Sequence, residues 1–502
     1  MDVLLTALLV FTVAASLAEQ PPNIVVLFAD DFGYGDMASY GHPTQEWNAL
    51  DDLASEGLRF TQWYSGESLC TPSRAALLTG RLPVRSGMIP GGEKENRVLG
   101  PTSKNGLPQD EITIAELLKT KGYATGHVGK WHLGINANTA TDGAHLPAHH
   151  GFDYVGTSLP FSNVWGCDDT GVHEKRPDNK VCFAYHNTTI FQQPINHTEL
   201  TPSLVRDAVG FIHDHRTDPF FLYFAFAHCH VSMFSSPGFT GESARGVYGD
   251  NFAEMAWAAG EVISTLKSLD LANNTLVFFT SDNGPHIELC LEGGSASLLQ
   301  GGKSMTYEGG IRMPAIAWWP GKIQPGRVTS QIASTMDIFV TAAKIAGVDL
   351  PTNVTIDGRD ISPILFDVDA KTPHDFLFHY CSSRLMAVRH GPYKAHYYTQ
   401  MLPLANYTTV HCTNGSPHGE FFQGWACYGP TVTEHNPPLL FNVEADPSET
   451  YALNAAEYGD VLAKIAAAVT AHKAALKPRP PLLGVNDAHL QPCCNPPHCA
   501  CE

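Results

Sequence analysis

Long apolar runs are scarce in this sequence. Beyond the first twenty residues no stretch is long enough to cross a bilayer, and Phe220 to Ala227 has only the length of a buried strand. Positive charge is also short. With 31 Lys and Arg against 50 Asp and Glu, the formal charge is −19, which argues against a nucleic-acid or anionic-membrane partner. Charged residues make up only 16% and apolar residues 43%, a balance that excludes a disordered or fibrous chain and supports a sizeable core. Internal repeats and long low-complexity tracts are missing, and so is a His/Cys zinc pattern. A chain of 502 residues suits one large and one smaller unit.

The apolar run that does exist, Val3 to Leu17, is followed by the small-x-small site Ser16-Leu17-Ala18 and reads as a signal peptide over residues 1–18. Its charged flank is weak, with Asp2 and no Lys or Arg; a buried N-terminal helix is the alternative. Sequons at Asn187, Asn196, Asn273, Asn353, Asn406 and Asn414 agree with passage through the secretory pathway. Twelve cysteines in that setting suggest disulfides. Cys493, Cys494, Cys499 and Cys501 read as a cross-linked tail, with a zinc site as the alternative, and Cys167 and Cys182 bracket a loop that a bridge would close. The 24 histidines would carry the formal charge from −19 to +5 if all were protonated, which fits an acidic compartment without establishing one.

Three short apolar runs end in polar clusters. Ile24 to Phe28 leads into Asp30-Asp31, Phe220 to Phe226 into His228-Cys229-His230, and Leu276 to Phe279 into Asp282-Asn283. Each reads as a buried strand that delivers polar groups at its C-terminal end. Helical segments intervene at Trp47–Glu56, Ile112–Lys121, Thr201–His213 and Phe252–Leu269. Alternation of this kind predicts a doubly wound α/β domain over residues 19–370, with its site at the carboxyl ends of strands. From residue 371 to 502 the pattern changes. Leu385–Thr399 reads as two strands joined at His390-Gly391-Pro392, Leu439–Val443 as another, and Tyr458–Leu476 as an Ala-rich helix, together a smaller α+β domain.

Several positions offer chemistry. Cys70-Thr71-Pro72-Ser73-Arg74 leads into Leu78-Thr79-Gly80-Arg81; alone, the cysteine would be a disulfide partner or buried thiol. Asp30, Asp31, Asp282 and Asn283 are hard oxygen donors suited to Ca2+ or Mg2+, although either pair alone would be a helix cap or Asx turn. Lys130 and His132 lie two apart and face one way if extended, a cation beside a proton carrier; alone they would be a solvated pair. A lone His230 would be a core histidine, and a lone Lys303 a surface lysine.

The C-x-P-x-R pentapeptide with its L-T-G-R continuation resembles the signature of the type I sulfatases of the alkaline phosphatase superfamily. The order of the other segments resembles that family from Pro22 to the cysteine-rich tail. Phe28 to Asp36 and Gly66 to Cys70 are similar to arylsulfatase A, and Gly241 to Asp250 to N-acetylgalactosamine-6-sulfatase. The resemblance implies a large mixed β-sheet flanked by helices and a smaller C-terminal domain. It implies hydrolysis of sulfate monoesters of small molecules, lipids or glycans, in the lysosome or outside the cell. It implies that a formylglycine-generating enzyme oxidises Cys70, whose hydrated aldehyde attacks sulfur with one hydroxyl and expels sulfate with the other. Asp30, Asp31, Asp282, Asn283 and the modified Cys70 would hold the cation, Ca2+ by family habit with Mg2+ as the alternative. Arg74 and Lys130 would stabilise the hydrate, His132 would take its proton, and Asp282 would help activate the attacking hydroxyl. Lys130, Ser162, His230 and Lys303 would bind the sulfate. Cys229 stands where arylsulfatase A has Thr, an oxidant-sensitive or pocket-shaping change. Gln300 stands where close relatives have Cys, leaving Cys290 and Cys412 as substitutes for the missing bridge. A homo-oligomer is an assembly these expectations allow.

Two other functions compete. Phosphate-ester hydrolases of the superfamily place Ser or Thr at the nucleophile beside two zinc ions, and Cys70 with Pro72 and Arg74 argues against them. A secreted structural glycoprotein that kept the fold without the activity is the other.

Overall fold

The structure is a computed structural model and describes residues 20–93, 95–161, 183–193, 195–401 and 426–492. The expected signal peptide, Ser162, the Cys167/Cys182 loop, Cys412, the cysteine-rich tail and the sequons at Asn406 and Asn414 lie outside the described residues. The four sequon asparagines within them, Asn187, Asn196, Asn273 and Asn353, are all exposed.

Among the described residues, eleven strands form one large sheet: β1 (Asn23–Ala29), β2 (Leu58–Tyr64), β3 (Ala124–Lys130), β4 (Tyr154–Leu159), β5 (Ala184–His186), β6 (Thr189–Gln192), β7 (Phe220–Ala225), β8 (Thr275–Ser281), β9 (Arg312–Trp318), β10 (Arg327–Thr329) and β11 (Ala333–Ser334). Their order is β10-β2-β9-β8-β1-β7-β3-β4-β5-β6, with β11 also on β2. The centre is parallel: β1 pairs with β7 and β8, and β3 with β7 and β4. The sheet is nevertheless mixed, because β9 runs antiparallel to both β8 and β2.

The continuous apolar runs follow from burial on both faces. In β1, Val25, Leu27 and Ala29 join one core while Ile24, Val26 and Phe28 join the other; β7 divides in the same way between Leu222, Phe224 and Phe221, Tyr223. Among the described residues, ten α-helices accompany the strands: α1 (Ala49–Glu56), α2 (Cys70–Thr79), α3 (Pro83–Ser86), α4 (Ile114–Lys119), α5 (His197–Asp214), α6 (Val247–Ser268), α7 (Glu308–Ile311), α8 (Asp337–Ile345), α9 (Ser362–Phe366) and α10 (Gly459–Ala475). Capping boxes start α1 at Asn48/Asp51 and α4 at Thr113/Glu116. Helix α5 begins four residues earlier than the sequence suggests. Asn196 caps it by accepting the Thr198 N–H (3.1 Å), and Pro202 lies inside the helix, past its first turn, where it withholds one intrahelical N–H.

A second sheet is antiparallel in the order β12 (Leu377–Cys381), β13 (Arg384–His390), β14 (Tyr393–Gln400), β15 (Val432–Asn442). Strand β15 starts well before Leu439, where the sequence placed it. Pro437 and Pro438 obscure its first half, but β15 is an edge strand, where a missing N–H is tolerated. This sheet and α10 bury Val388, Ala395, Leu440, Ile465 and Val469 against Ala76 of α2 and Leu82. The helix that starts at Cys70 is thus packed between the two sheets.

Candidate functional site

Strand order explains why remote residues meet. Strands β8, β1, β7 and β3 are consecutive neighbours, and their C-terminal ends deliver Asp282-Asn283, Asp30-Asp31, His228 to His230 and Lys130 to one edge. Backbone hydrogen bonds lock the ends together: Asp30 N to His228 O (2.7 Å), Cys229 N to Asp30 O (2.6 Å) and Asp282 N to Ala29 O (3.2 Å). Cys70 is the first residue of α2 and a free buried thiol, with Sγ 3.7 Å from Asp30 Oδ1. One ligand atom each from Asp30, Cys70 and Asp282 lie within 4.8 Å of one another.

The charges are arranged in pairs. Arg74, one turn along α2, donates Nε (3.1 Å) and a terminal N–H (2.8 Å) to Asp282 Oδ2, and lies 3.5 Å from Asp30 Oδ1. Lys130 pairs with Asp30, and Lys303 Nζ donates to Asp31 Oδ2 (2.5 Å). All six of these side chains are buried, so each charge depends on its partner. Burial pushes the Asp282 carboxyl up, against the pull of Arg74. Burial alone would lower Lys303, but Asp31 and the other acidic groups hold it above the usual lysine value. Burial also pushes the Cys70 thiol up, against Lys130 and Lys303, so residue 70 in its thiol form is no nucleophile.

Asn283 gives the test of cation binding. Its Nδ2 donates to Asp31 Oδ1 (2.7 Å), while its Oδ1 is fully buried without a hydrogen-bond partner. An orphaned carbonyl oxygen beside three buried carboxylates fits a hard divalent cation.

His132 does not reach the site as the sequence suggested. Strand β3 ends at Lys130, and His132 has φ of 60°, so the two side chains do not alternate along one extended strand. A turn brings His132 in instead. Thr71 Oγ1 donates to His132 O (3.0 Å) and accepts the Leu99 N–H (3.2 Å), and Leu99 O receives the His132 Nε2 proton (2.9 Å). The proton therefore sits on Nε2 and the lone pair on Nδ1, which has no partner. Burial, with Lys130 and Arg74 nearby, holds this imidazole well below its ordinary pKa and hence neutral. Thr71 and Leu99 escaped the sequence reading; Thr71 lies inside the motif and could have been singled out there.

His230 donates Nδ1 to Val231 O and places Nε2 3.8 Å from Asp31 Oδ2. Burial, then Lys303 and Lys130, keep it well below the usual histidine value. Cys229 is buried in the core, and burial together with Asp36 raises its pKa, which opposes the thiolate that reaction with an oxidant would need. Cys290 is disulfide-bonded, and a second bridge not foreseen from the sequence joins Cys381 to Cys427.

Comparison with known proteins completes the picture. The sulfatase family model matches residues 22–348, and the model for the C-terminal region of aryl-sulfatase matches residues 372–501. An arylsulfatase of Hemicentrotus pulcherrimus is 50% identical over 482 residues, covering 96% of this chain and 86% of its own. The chain belongs to the sulfatase family. Human arylsulfatase A is 43% identical over 89% of this sulfatase and 86% of its own length. The crystal structure of PsFucS1 sulfatase from Pseudoalteromonas sp. superposes with a TM-score of 0.74 at 28% identity, covering 91% of this chain and 90% of that one. The protein is a sulfuric ester hydrolase of the type I sulfatase, alkaline phosphatase superfamily. Among its described residues no helix is long and apolar enough to cross a membrane.

Proposed function

We propose that this sulfatase hydrolyses aryl sulfates and related sulfate monoesters of lipids or glycans with residue 70 as its nucleophile. The observation that carries the reading is the contact of Cys70 with Asp30 inside the buried Asp30/Asp282 cluster, flanked by Arg74, Lys130 and Lys303. Converted to formylglycine and hydrated, residue 70 would offer one hydroxyl to attack sulfur, breaking the ester S–O bond and releasing the alcohol or phenol, and a second whose deprotonation re-forms the carbonyl and expels sulfate. A divalent cation held by Asp30, Asp31, Asp282 and Asn283, Ca2+ by family habit, would draw in sulfate oxygens and ease loss of a hydroxyl proton.

The side chains divide the remaining work. Arg74 and Lys130 bring fixed positive charge to the oxygens of residue 70. His132 Nδ1 is a bare lone pair held neutral, suited to take the proton during sulfate release. Lys303 and His230 line the side of Asp31 and would grip the sulfate, with Ser162 as a further contact. Arg74, Lys130 and Lys303 only balance the carboxylates of Asp282, Asp30 and Asp31, so the divalent cation would supply the net positive charge that an anionic ester needs in a chain of formal charge −19. Sequons and disulfides favour passage through the secretory pathway to the lysosome or the extracellular space.

Peptide mass spectrometry across Cys70, on protein made with a competent maturation enzyme, should find the aldehyde or its hydrate. Cys70→Ala should keep the fold and lose nearly all turnover of a chromogenic aryl sulfate. Unmodified thiol throughout, or full activity in the variant, would overturn the reading.

A further inference from the structure

Among the described residues, Lys303 is the one cation of the site that stands on neither a strand end nor α2. It stands in a loop, and its Nζ lies 2.5 Å from Asp31 Oδ2 at the end of a long flexible side chain. Where that ammonium group can reach is set by the backbone on which it stands. Lys303 N donates to Pro285 O (2.8 Å), and Ser304 N donates to Ser68 O (2.7 Å), two residues before Cys70. Ser304 has φ of 73°, a left-handed conformation that a residue other than glycine keeps only where its surroundings impose it.

Much of what imposes it comes from the second sheet. Gln400, the last residue of β14 and 2% exposed, donates Nε2 to Ser304 O (2.8 Å) and accepts the Thr306 N–H on Oε1 (3.0 Å). One amide thus clasps both sides of the turn that follows Lys303. Gln400 is itself braced, with Nε2 also reaching Ala426 O (3.2 Å) and the sulfur of Cys381 (3.7 Å) in the Cys381–Cys427 disulfide. Further along the same segment, the Glu308 N–H donates to Glu449 Oε2 (2.7 Å), another group from beyond β14.

We propose that Gln400, across the junction between the two sheets, is a positioning residue for Lys303, so that the C-terminal region sets how tightly the site holds the sulfate group. The proposal rests on the reading of Lys303 as a sulfate-binding residue. Gln400 does not touch the reacting atoms; it fixes the loop from which Lys303 reaches them. Loss of the clasp would let the ammonium group wander from the sulfate position while leaving Cys70, Arg74 and His132 in place.

The test uses the full, matured chain and four proteins: wild type, Gln400→Met, Lys303→Ala and the double variant. The readouts are kcat and KM for an aryl sulfate and the inhibition constant of inorganic sulfate. Removing the clasp should raise KM and the sulfate inhibition constant by about 10-fold, the weight of one or two hydrogen bonds, with kcat changed less. Lys303→Ala should raise both further, and adding Gln400→Met to it should change nothing more. A purely structural role would lower the unfolding midpoint and leave the inhibition constant alone, and that result overturns the proposal. So do single-variant losses that multiply in the double variant. If Lys303→Ala itself leaves the sulfate constant unchanged, the reading of Lys303 fails, a result distinct from failure at Gln400. Should Gln400→Met not fold, Gln400→Glu keeps an acceptor for Thr306 and loses the donor to Ser304. The same shift is expected there, and wild-type constants in that variant overturn the proposal.

Discussion

Replacing His127 with Phe should flatten the acid side of the stability profile. His127 lies inside β3 with no exposure, ringed by Trp131, Phe152 and Tyr223 at 5.5 Å between ring centroids. Its Nε2 reaches Gly129 O (3.1 Å) and Ser158 Oγ (3.2 Å), and Nδ1 has no partner to welcome a proton. Burial pushes its pKa down to about 3, against about 6.5 in the unfolded chain. Between those values the unfolded chain binds the proton and the folded chain does not. Stability contributed by the neutral imidazole is therefore present above pH ~6.5 and lost as pH falls, by about 1.4 kcal/mol per pH unit. At pH 4.5 the loss reaches about 2.7 kcal/mol for this one residue. His150 and His228, also pushed to about 3 by burial, add losses of the same sign. Buried carboxyls raised by desolvation, such as Glu67 and Glu254, work in the opposite direction and soften the total. His127→Phe abandons two hydrogen bonds, which costs about 1–3 kcal/mol at every pH. Urea unfolding midpoints from pH 7 to pH 4.5 should therefore converge, the variant starting lower and falling less. Parallel profiles would refute the argument. The outcome also bears on the compartment, because a histidine count favourable to acid means little where the imidazoles are buried neutral.

Two further perturbations address the cation and the junction between the sheets. Asn283→Leu removes the orphaned oxygen and should weaken Ca2+ binding by at least about 10-fold, read as a rightward shift in the Ca2+ concentration that raises the thermal midpoint; an unchanged titration would exclude Asn283 as a ligand. Glu308 is fully buried with Lys394 (3.0 Å), Arg312 (3.2 Å) and Tyr64 OH (2.8 Å), and although burial opposes its charge, Lys394, Arg312 and Arg389 hold its carboxyl well below the usual range. Glu308→Gln should cost about 3–5 kcal/mol of stability, because it leaves buried cations short of a counter-charge, and a loss under about 1 kcal/mol in denaturant melts would show the network to be dispensable.

Much of the site was legible in one dimension. Buried parallel strands must be apolar throughout, so their ends stand out wherever polar residues begin, and Asp30-Asp31, His230 and Asp282-Asn283 could be read in that way. The pentapeptide at Cys70 was legible through its resemblance to the sulfatase signature, whose residues are contiguous and fall at the start of one helix. The mixed sheet was not readable from local pattern, since β9 looks like any apolar strand and its direction depends on how the chain returns to β8 and β2.

Only the tertiary structure decided the rest. His132 enters through a left-handed residue and a carbonyl at Leu99, neither of which leaves a periodic trace. Lys303 looks like a surface lysine in sequence, yet is buried against Asp31 because Ser68, Arg97 and Gln400 converge on Ser304 from three distant segments. The sequence by itself determined which residues could do the chemistry, because residue type and strand period are local properties. Pairing the buried charges, choosing the lone pair on His132 and clasping the turn after Lys303 with a glutamine of the second sheet depend on contacts between segments tens to hundreds of residues apart, which exist only once the chain has packed.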